Sequence, residues 1–155
     1  MGVCVTVFDS QPIVAALTGE AGTAEVEALL RAADDPPRVG ALSLGEILDV
    51  LVRRRGVVAA DAAERLSWLK IGGLVAVPVD EEIALLAGEI HARHFHPRQR
   101  AVSLADCVAL ATALSLHDRL ATGDRALIEM AAEEGCAVIA IPAAHSGSPK
   151  SGAAG

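Results

Sequence analysis

The chain has 155 residues, of which 52% are hydrophobic and only 2% aromatic, and its formal net charge is −7. This length predicts one domain with a sizeable buried core, and the scarcity of aromatic side chains argues against a surface on which bases stack. The negative charge argues against a protein that holds nucleic acid by bulk electrostatics, so any nucleic-acid contact has to be local.

Short apolar segments alternate with helical patterns along the chain, and each change is marked by Gly, Pro or a capping residue. The predicted elements are, in chain order, a strand at 3–8, helices at 12–19 and 23–33, a strand at 38–43, helices at 44–56 and 59–73, a strand at 74–79, helices at 80–95 and 101–116, a strand at 119–123, a helix at 124–135 and a strand at 136–141. This alternation predicts an α/β domain over residues 1–142, with an open parallel sheet of about five strands and helices on both faces. The small residues at 143–155 predict a disordered tail.

The sequence has no feature of an exported or membrane protein. No basic region precedes an apolar stretch, and no apolar run reaches the length of a membrane span. The three cysteines, Cys4, Cys107 and Cys136, have no CxxC spacing and are interpreted as reduced packing residues. We therefore expect a soluble cytoplasmic protein.

Four acidic residues occupy comparable positions in the predicted sheet. Asp9 directly follows the first strand, and Asp124 follows the fourth; Glu46 and Asp106 lie in the first turns of the helices at 44–56 and 101–116. In a parallel sheet the site lies beyond the carboxyl ends of the strands, near the point where strand order reverses. We therefore expect the four carboxylates to converge at one edge.

Two explanations of these acids remain open for each residue taken alone. Ser43 with Glu46 and Ser103 with Asp106 both fit a capping box, Asp124 fits an N-cap, and Asp9 fits a turn. Four acids at comparable positions instead favour a site for Mg²⁺ or Mn²⁺, since clustered carboxylates repel one another until a cation neutralises them. Such a site activates water and binds the oxygens of a phosphodiester. The absence of GxxxxGK[ST] and GxGxxG argues against a P-loop and a dinucleotide site.

These residues resemble the PIN domain, in particular the VapC-type toxins of bacterial toxin–antitoxin pairs. The resemblance spans residues 3 to 141 and is carried by "VFDSQPIVAAL", "SLGEILDVLVRR", "SLADCVALATAL" and "LATGDRAL". It departs from the usual pattern at Gln11, where a small hydroxyl residue is more common.

The resemblance implies a metal-dependent endoribonuclease that cleaves structured RNA. It implies that Asp9, Glu46, Asp106 and Asp124 surround Mg²⁺ or Mn²⁺ and that Thr122 is an orienting hydroxyl. It also implies a homodimer and a small VapB-like antitoxin that blocks the site. Alternatives are an RNA-processing nuclease without an antitoxin and a binding module of the same fold without catalysis.

Two basic segments are candidate RNA contacts. Arg53–Arg55 fits a solvated helix end slightly better than a phosphate site, whereas the segment 91–100, with three histidines and three arginines, is the preferred contact. A transition-metal site at His91 and His94 is a minor alternative. Asp49 is interpreted as facing solvent rather than as a further metal ligand.

Overall fold

The computed structural model describes residues 4–31 and 35–143, and within them five strands form one parallel sheet. The strands are β1 (Thr6–Phe8), β2 (Arg38–Gly40), β3 (Val75–Val77), β4 (Arg119–Thr122) and β5 (Val138–Ala140). The helices are α1 (Ser10–Thr18), α2 (Thr23–Arg31), α3 (Ala41–Asp49), α4 (Ala59–Ile71), α5 (Glu81–His94), α6 (Leu104–Ser115) and α7 (Arg125–Glu133), and a π-helical turn (Val50–Arg54) follows α3. The predicted α/β architecture is confirmed.

Helices cover both faces of the sheet because side chains alternate along each strand. Val7 and Leu120 belong to a core that α5, α6 and α7 cover. Their chain neighbours Phe8 and Ala121 belong to a second core under α1, α2, α3 and α4. Successive strand residues point to opposite faces, so two short strands contribute to both cores.

The strands lie in the order β3-β2-β1-β4-β5. All of them are parallel, and β1 pairs with β2 on one side and with β4 on the other, so the order in which the chain adds strands switches sides at β1. The segments that follow β1 and β4 therefore leave the same edge of the sheet side by side, which is where open α/β sheets place their sites. Asp9 follows β1, and Gly123 and Asp124 follow β4.

The second strand and the helix after it differ from prediction. The strand predicted at 38–43 ends at Gly40, which is the extended N-cap of α3, and α3 begins at Ala41. Residues 41–44 contain no β-branched residue and include Ala and Leu, which favour helix. Glu46 therefore lies in the second turn rather than the first, and the predicted capping box of Ser43 with Glu46 is wrong.

The remaining boundaries differ by a few residues. The helix predicted at 101–116 begins at Leu104, because Ser103 is its N-cap, and it is buried as expected. Of the predicted tail, only Ala143 falls within the described residues; residues 144–155 lie outside them, as do 1–3 and 32–34. Among the described residues, no helix is both long enough and apolar enough to cross a membrane.

Candidate active site

Asp9 is the most buried of the four predicted acids, with 3% of its surface exposed. It is the N-cap of α1, and its Oδ1 accepts a hydrogen bond from the Ser10 backbone N–H at 2.8 Å. Its Oδ2 accepts a second from the Thr122 hydroxyl at 2.9 Å. Both carboxylate oxygens are thus held by neighbouring elements, one by α1 and one by the end of β4.

The burial of Asp9 raises the pKa of its carboxyl from the ordinary 3.8 to about 7. Removal from water disfavours the charged form, and the hydrogen bonds from Thr122 and Ser10 offset only part of that effect. The charges of Asp106 and Glu46 raise the pKa further. A nearby cation would stabilise the charged form of the Asp9 carboxyl and so lower its pKa.

Thr122 joins Asp9 to Asp124. The Thr122 side chain is fully buried, and its Oγ1 donates to Asp9 while accepting from the Asp124 backbone N–H at 3.1 Å. Asp124 is exposed and is the N-cap of α7, since its Oδ1 accepts from the Leu127 N–H at 2.8 Å. The N-cap interpretation of Asp124 is confirmed. The position of Thr122 is compatible with the orienting role that the family resemblance implies for its hydroxyl.

Glu46 projects from α3 toward the same group of acids. Its Oε2 is buried and has no hydrogen-bond partner among the residues that the structure describes. Burial, and then the charge of Asp106, raise the pKa of Glu46 above its ordinary value, against a smaller lowering contribution from the Ser10 side chain. A buried carboxylate oxygen without a donor is unfavourable unless a cation or water satisfies it.

Asp106 forms the predicted capping box with Ser103. Its Oδ2 accepts from the Ser103 backbone N–H and from the Ser103 hydroxyl, both at 2.8 Å, and Ser103 Oγ accepts from the Asp106 N–H at 3.1 Å. The same carboxylate acts electrostatically on Asp9 and Glu46. Asp106 is therefore both a helix cap and a member of the acidic group.

The donor set suits a hard divalent cation, because all of its atoms are carboxylate oxygens. Within residues 4–31 and 35–143, no three His, Cys, Asp or Glu side chains are positioned to hold a metal ion together. Each capping acid nevertheless uses a single oxygen for its helix, Oδ2 in Asp106 and Oδ1 in Asp124. The other oxygen of each accepts no hydrogen bond within the described residues and is available to a cation, so the chemistry of these residues fits a metal.

A cavity of about 680 Å³ adjoins the acidic group. Glu46 lines it, as do Ser10 and Gln11, which follow Asp9 in the chain. Arg53, Arg54 and Arg55 also line it. The three arginines are exposed at the end of the π-helical turn and just after it, as predicted for a solvated helix end, and they also line this cavity. Asp49 is exposed, as expected, and binds Arg53.

The basic segment 91–100 is bound to α7 and the residue after it. Arg93 pairs with Glu134 at 2.9 Å, Arg100 with Glu133 at 2.7 Å, and His94 lies 2.6 Å from Glu134. His91 stacks on Phe95 with ring centroids 4.9 Å apart. These side chains join α5 to α7, so the charges on which the predicted RNA contact depends are mostly neutralised within the domain.

Sequence reasoning missed the role of Gly123. A Cβ at this position would lie 2.6 Å from the Ile141 carbonyl oxygen and 2.7 Å from Gln11 Oε1. The chain after β4 therefore passes close to β5 and to the side chain of Gln11. The signal was the glycine between Thr122 and Asp124, but its meaning depends on which segments lie next to it.

A family model of the PIN domain matches residues 6–133. This match confirms the resemblance to the PIN domain that the sequence motifs predicted. A comparison with curated protein sequences found no match to the chain.

Several solved structures share the fold. The toxin VapC20 of Mycobacterium tuberculosis, described as cleaving the sarcin-ricin loop, is 18% identical with a TM-score of 0.65, over 80% of this chain and 93% of that chain. VapBC-1 from nontypeable Haemophilus influenzae is 14% identical with a TM-score of 0.66, over 88% and 97%. FitAcB from Neisseria gonorrhoeae is 22% identical with a TM-score of 0.60, over 86% and 96%. At these identities the likeness is one of fold.

Proposed function

The chain belongs to the PIN domain family, and from this premise we propose that it is a metal-dependent endoribonuclease acting as the toxin of a type II toxin–antitoxin pair. The observation that carries the proposal is the buried Asp9, beside Glu46 and Asp106 at the carboxyl edge of the sheet. Repulsion among these acids is unfavourable in the metal-free protein and is relieved by a divalent cation.

Asp9, Glu46, Asp106 and Asp124 would hold Mg²⁺ or Mn²⁺, with Asp9 as the central ligand. When bound, such an ion lowers the pKa of a water molecule and stabilises negative charge on a phosphodiester. Thr122 fixes the orientation of Asp9 through its hydrogen bond to Oδ2. Glu46 contributes the buried Oε2 that lacks a donor among the described residues.

Structured RNA is the proposed substrate class. The relative of known structure that is described as cleaving the sarcin-ricin loop has the same fold, which supports this choice. The formal charge of −7 means that RNA contacts the protein only where cations are concentrated.

Cleavage of RNA by the purified protein tests the proposal. We expect cleavage in Mg²⁺ or Mn²⁺, its loss in excess EDTA, and its loss in Asp9→Ala with the circular dichroism spectrum retained. Asp61→Asn, an exposed aspartate of α4, is the matched control and should cleave as the wild type does. Full cleavage by clean protein in excess EDTA would contradict the proposal, and sequencing of RNA 5′ ends after induced expression would identify the target.

We further propose a homodimer and a small VapB-like antitoxin that supplies an arginine or lysine to Asp9 or Asp106. A solved structure from Klebsiella pneumoniae with the same fold is described as a toxin–antitoxin complex, and an acidic site favours a basic inhibitor. Co-purification with the product of the upstream gene tests the partner, and light scattering tests the dimer. Undiminished inhibition after charge reversal of every basic residue in that product would exclude the electrostatic mechanism.

A further inference from the structure

The cavity beside Glu46 has a wall of three consecutive arginines that the metal-binding role does not use. It lies between the start of α1, the residues around Glu20, and the end of α3 with its π-helical turn. Because it shares Glu46 and Ser10 with the acidic group, anything bound in it lies next to the proposed reaction centre.

Arg53 and Arg54 end the π-helical turn and Arg55 follows it, and all three exposed side chains line the cavity. In an α-helix with 3.6 residues per turn, three consecutive side chains spread over about 200° and cannot all face the same space. Here the backbone N–H of Arg55 donates to the Val50 carbonyl, five residues back, at 3.1 Å. This wider turn narrows the angle between successive residues, and turns of this kind are frequent at functional sites.

Two of the arginines are fixed by carboxylates of the cavity wall. Arg53 donates from Nε and Nη2 to Asp49, at 3.0 and 2.7 Å. Arg55 donates from Nε to Glu20 Oε1 at 2.8 Å, and the Thr18 hydroxyl donates to the other oxygen of Glu20 at 2.8 Å. These pairs neutralise both arginines and hold their guanidinium groups in place, which reduces the entropy lost when a ligand binds.

Arg54 differs from its two neighbours. It lines the cavity, but within residues 4–31 and 35–143 it forms no ion pair, and its charge reaches Asp49 only as a longer-range effect. It is thus a cation with its donors available, between two arginines that are already oriented.

We propose that this cavity binds a backbone phosphate of the RNA strand next to the cleaved bond, with Arg54 as the principal phosphate ligand. The inference rests on the proposed ribonuclease function. A guanidinium donates two parallel hydrogen bonds to phosphate oxygens, and Arg54 is the arginine of the three whose charge is not already paired with Asp49 or Glu20 among the described residues. Gln11 also lines the cavity, and its side-chain amide can contact the nucleotide there.

The test compares Arg54→Gln with Arg31→Gln, an exposed helix arginine outside the cavity. Binding of end-labelled total transfer RNA is measured by fluorescence anisotropy in an Asp9→Asn background at several KCl concentrations. We expect Arg54→Gln to bind about tenfold more weakly, as for the loss of one charge-assisted contact. The slope of log affinity against log salt should become shallower by roughly 0.7–0.9. Arg31→Gln should leave both values unchanged, and Arg54→Lys, which keeps the charge but loses the planar fork, should fall between.

The outcomes separate the inference from the function on which it rests. If the wild type cleaves RNA but Arg54→Gln matches it in affinity and salt slope, the phosphate site is wrong and the ribonuclease proposal stands. If the wild type neither binds nor cleaves RNA, both are wrong. If Arg54→Gln keeps RNA affinity but loses binding to the upstream gene product, the cavity binds a protein carboxylate, which also overturns the inference. Melting curves for each variant report whether the fold is retained.

Discussion

At the scale of single residues, the acids of this site affect the stability of the fold in two opposite directions. Asp9, Asp106 and Asp124 each cap a helix, which stabilises the fold. Asp9 is also buried, and Glu46 half-buried, near like charge, which is unfavourable without a cation. The proposed metal binding is compatible with capping by the same side chains, and the sign of each stability change shows which of the two roles dominates.

The pKa of Asp9 predicts how the stability of the metal-free protein depends on pH. Because the pKa is raised from 3.8 to about 7 in the folded state, the folded protein holds this proton more tightly than the unfolded chain does. The resulting stabilisation is complete below pH 3.8 and is lost as the pH rises through 7. In EDTA, the free energy of unfolding should fall between pH 5 and pH 8, and Asp9→Asn should remove most of that fall.

Urea denaturation of both proteins at the two pH values measures this difference. Glu46, whose pKa is also raised, contributes in the same direction, so a smaller dependence remains in the variant. Asp61→Asn serves as the control for removal of one charge at a surface position. An Asp9→Asn protein that loses as much stability as the wild type between pH 5 and pH 8 would show that Asp9 is not buried as described.

At Asp106, the observed capping role and the proposed metal-binding role can be separated by substitution. Asp106→Ala should destabilise the metal-free protein by about 0.5–2 kcal/mol through loss of the capping box. Asp106→Asn keeps an acceptor for Ser103 and removes the charge that acts on Asp9 and Glu46, so it should raise the melting temperature in EDTA and abolish cleavage. Mg²⁺ should then raise the melting temperature of the wild type more than that of the variant.

The matched control for this experiment is Ser103→Ala, which weakens the same cap without removing a charge. It should lower the melting temperature in EDTA but retain the Mg²⁺ shift. If Asp106→Asn instead melts below wild type, keeps the full Mg²⁺ shift and still cleaves RNA, then Asp106 is a cap alone.

At the scale of elements, the turns after β1 and β4 determine the geometry of the site. One residue, Asp9, separates β1 from α1, and two residues, Gly123 and Asp124, separate β4 from α7. In both turns the aspartate is the N-cap of the helix. The turn after β4 is crowded, since Gly123 lies against the backbone of Ile141 and against Gln11. A side chain at Gly123 would therefore displace Gln11 or push the turn away from Ile141.

Two glycine substitutions test this crowding. Gly123→Ala should destabilise the protein by about 1–3 kcal/mol, as for an overpacked position, and reduce cleavage because Thr122 no longer holds Asp9. Gly88→Ala, in an exposed interior position of α5 with nothing within 4 Å of the added Cβ, should stabilise by about 0.5–1 kcal/mol. Thermal melts and the cleavage assay measure both effects, and a neutral Gly123→Ala would mean that the turn after β4 is wider than described.

At the scale of the whole molecule, the fifth strand supports the site although it lies outside the family match at 6–133. β5 pairs with β4 along its length, and the Ile141 N–H donates to the Thr122 carbonyl at 2.9 Å. Ile141 is buried in the core that contains Phe8 and Ile13. The position of Thr122, and through it the orientation of Asp9, depends on a strand near the other end of the chain.

Truncation tests this dependence. A chain that ends at Ala143 keeps every helix and strand that the structure describes and should melt and cleave as the full chain does. A chain that ends at Gly135 lacks β5 and should lose cooperative unfolding, because an edge of β4 and part of a core become exposed. Circular dichroism melts check both, and wild-type melting of the shorter chain would remove β5 from the support of the site.

The sequence by itself determined the fold class, the family and the order of the elements. Alternating apolar strands and helices suffice for a parallel sheet, because that pattern has few other solutions. The caps Ser103 and Asp124 are also predictable from the sequence, since a cap interacts with residues only three positions away. Contacts that are local in the chain are encoded locally.

Features that depend on residues far apart in sequence are visible in the folded structure alone. The burial of Asp9, its bond to Thr122, the crowding at Gly123 and the pairing of the basic segment 91–100 with Glu133 and Glu134 all join segments separated by tens of residues. The start of α3 at Ala41 and the π-helical turn also escaped prediction, because local propensity differs little between neighbouring registers. Packing energy across the fold, which is larger than those local preferences, selects among them.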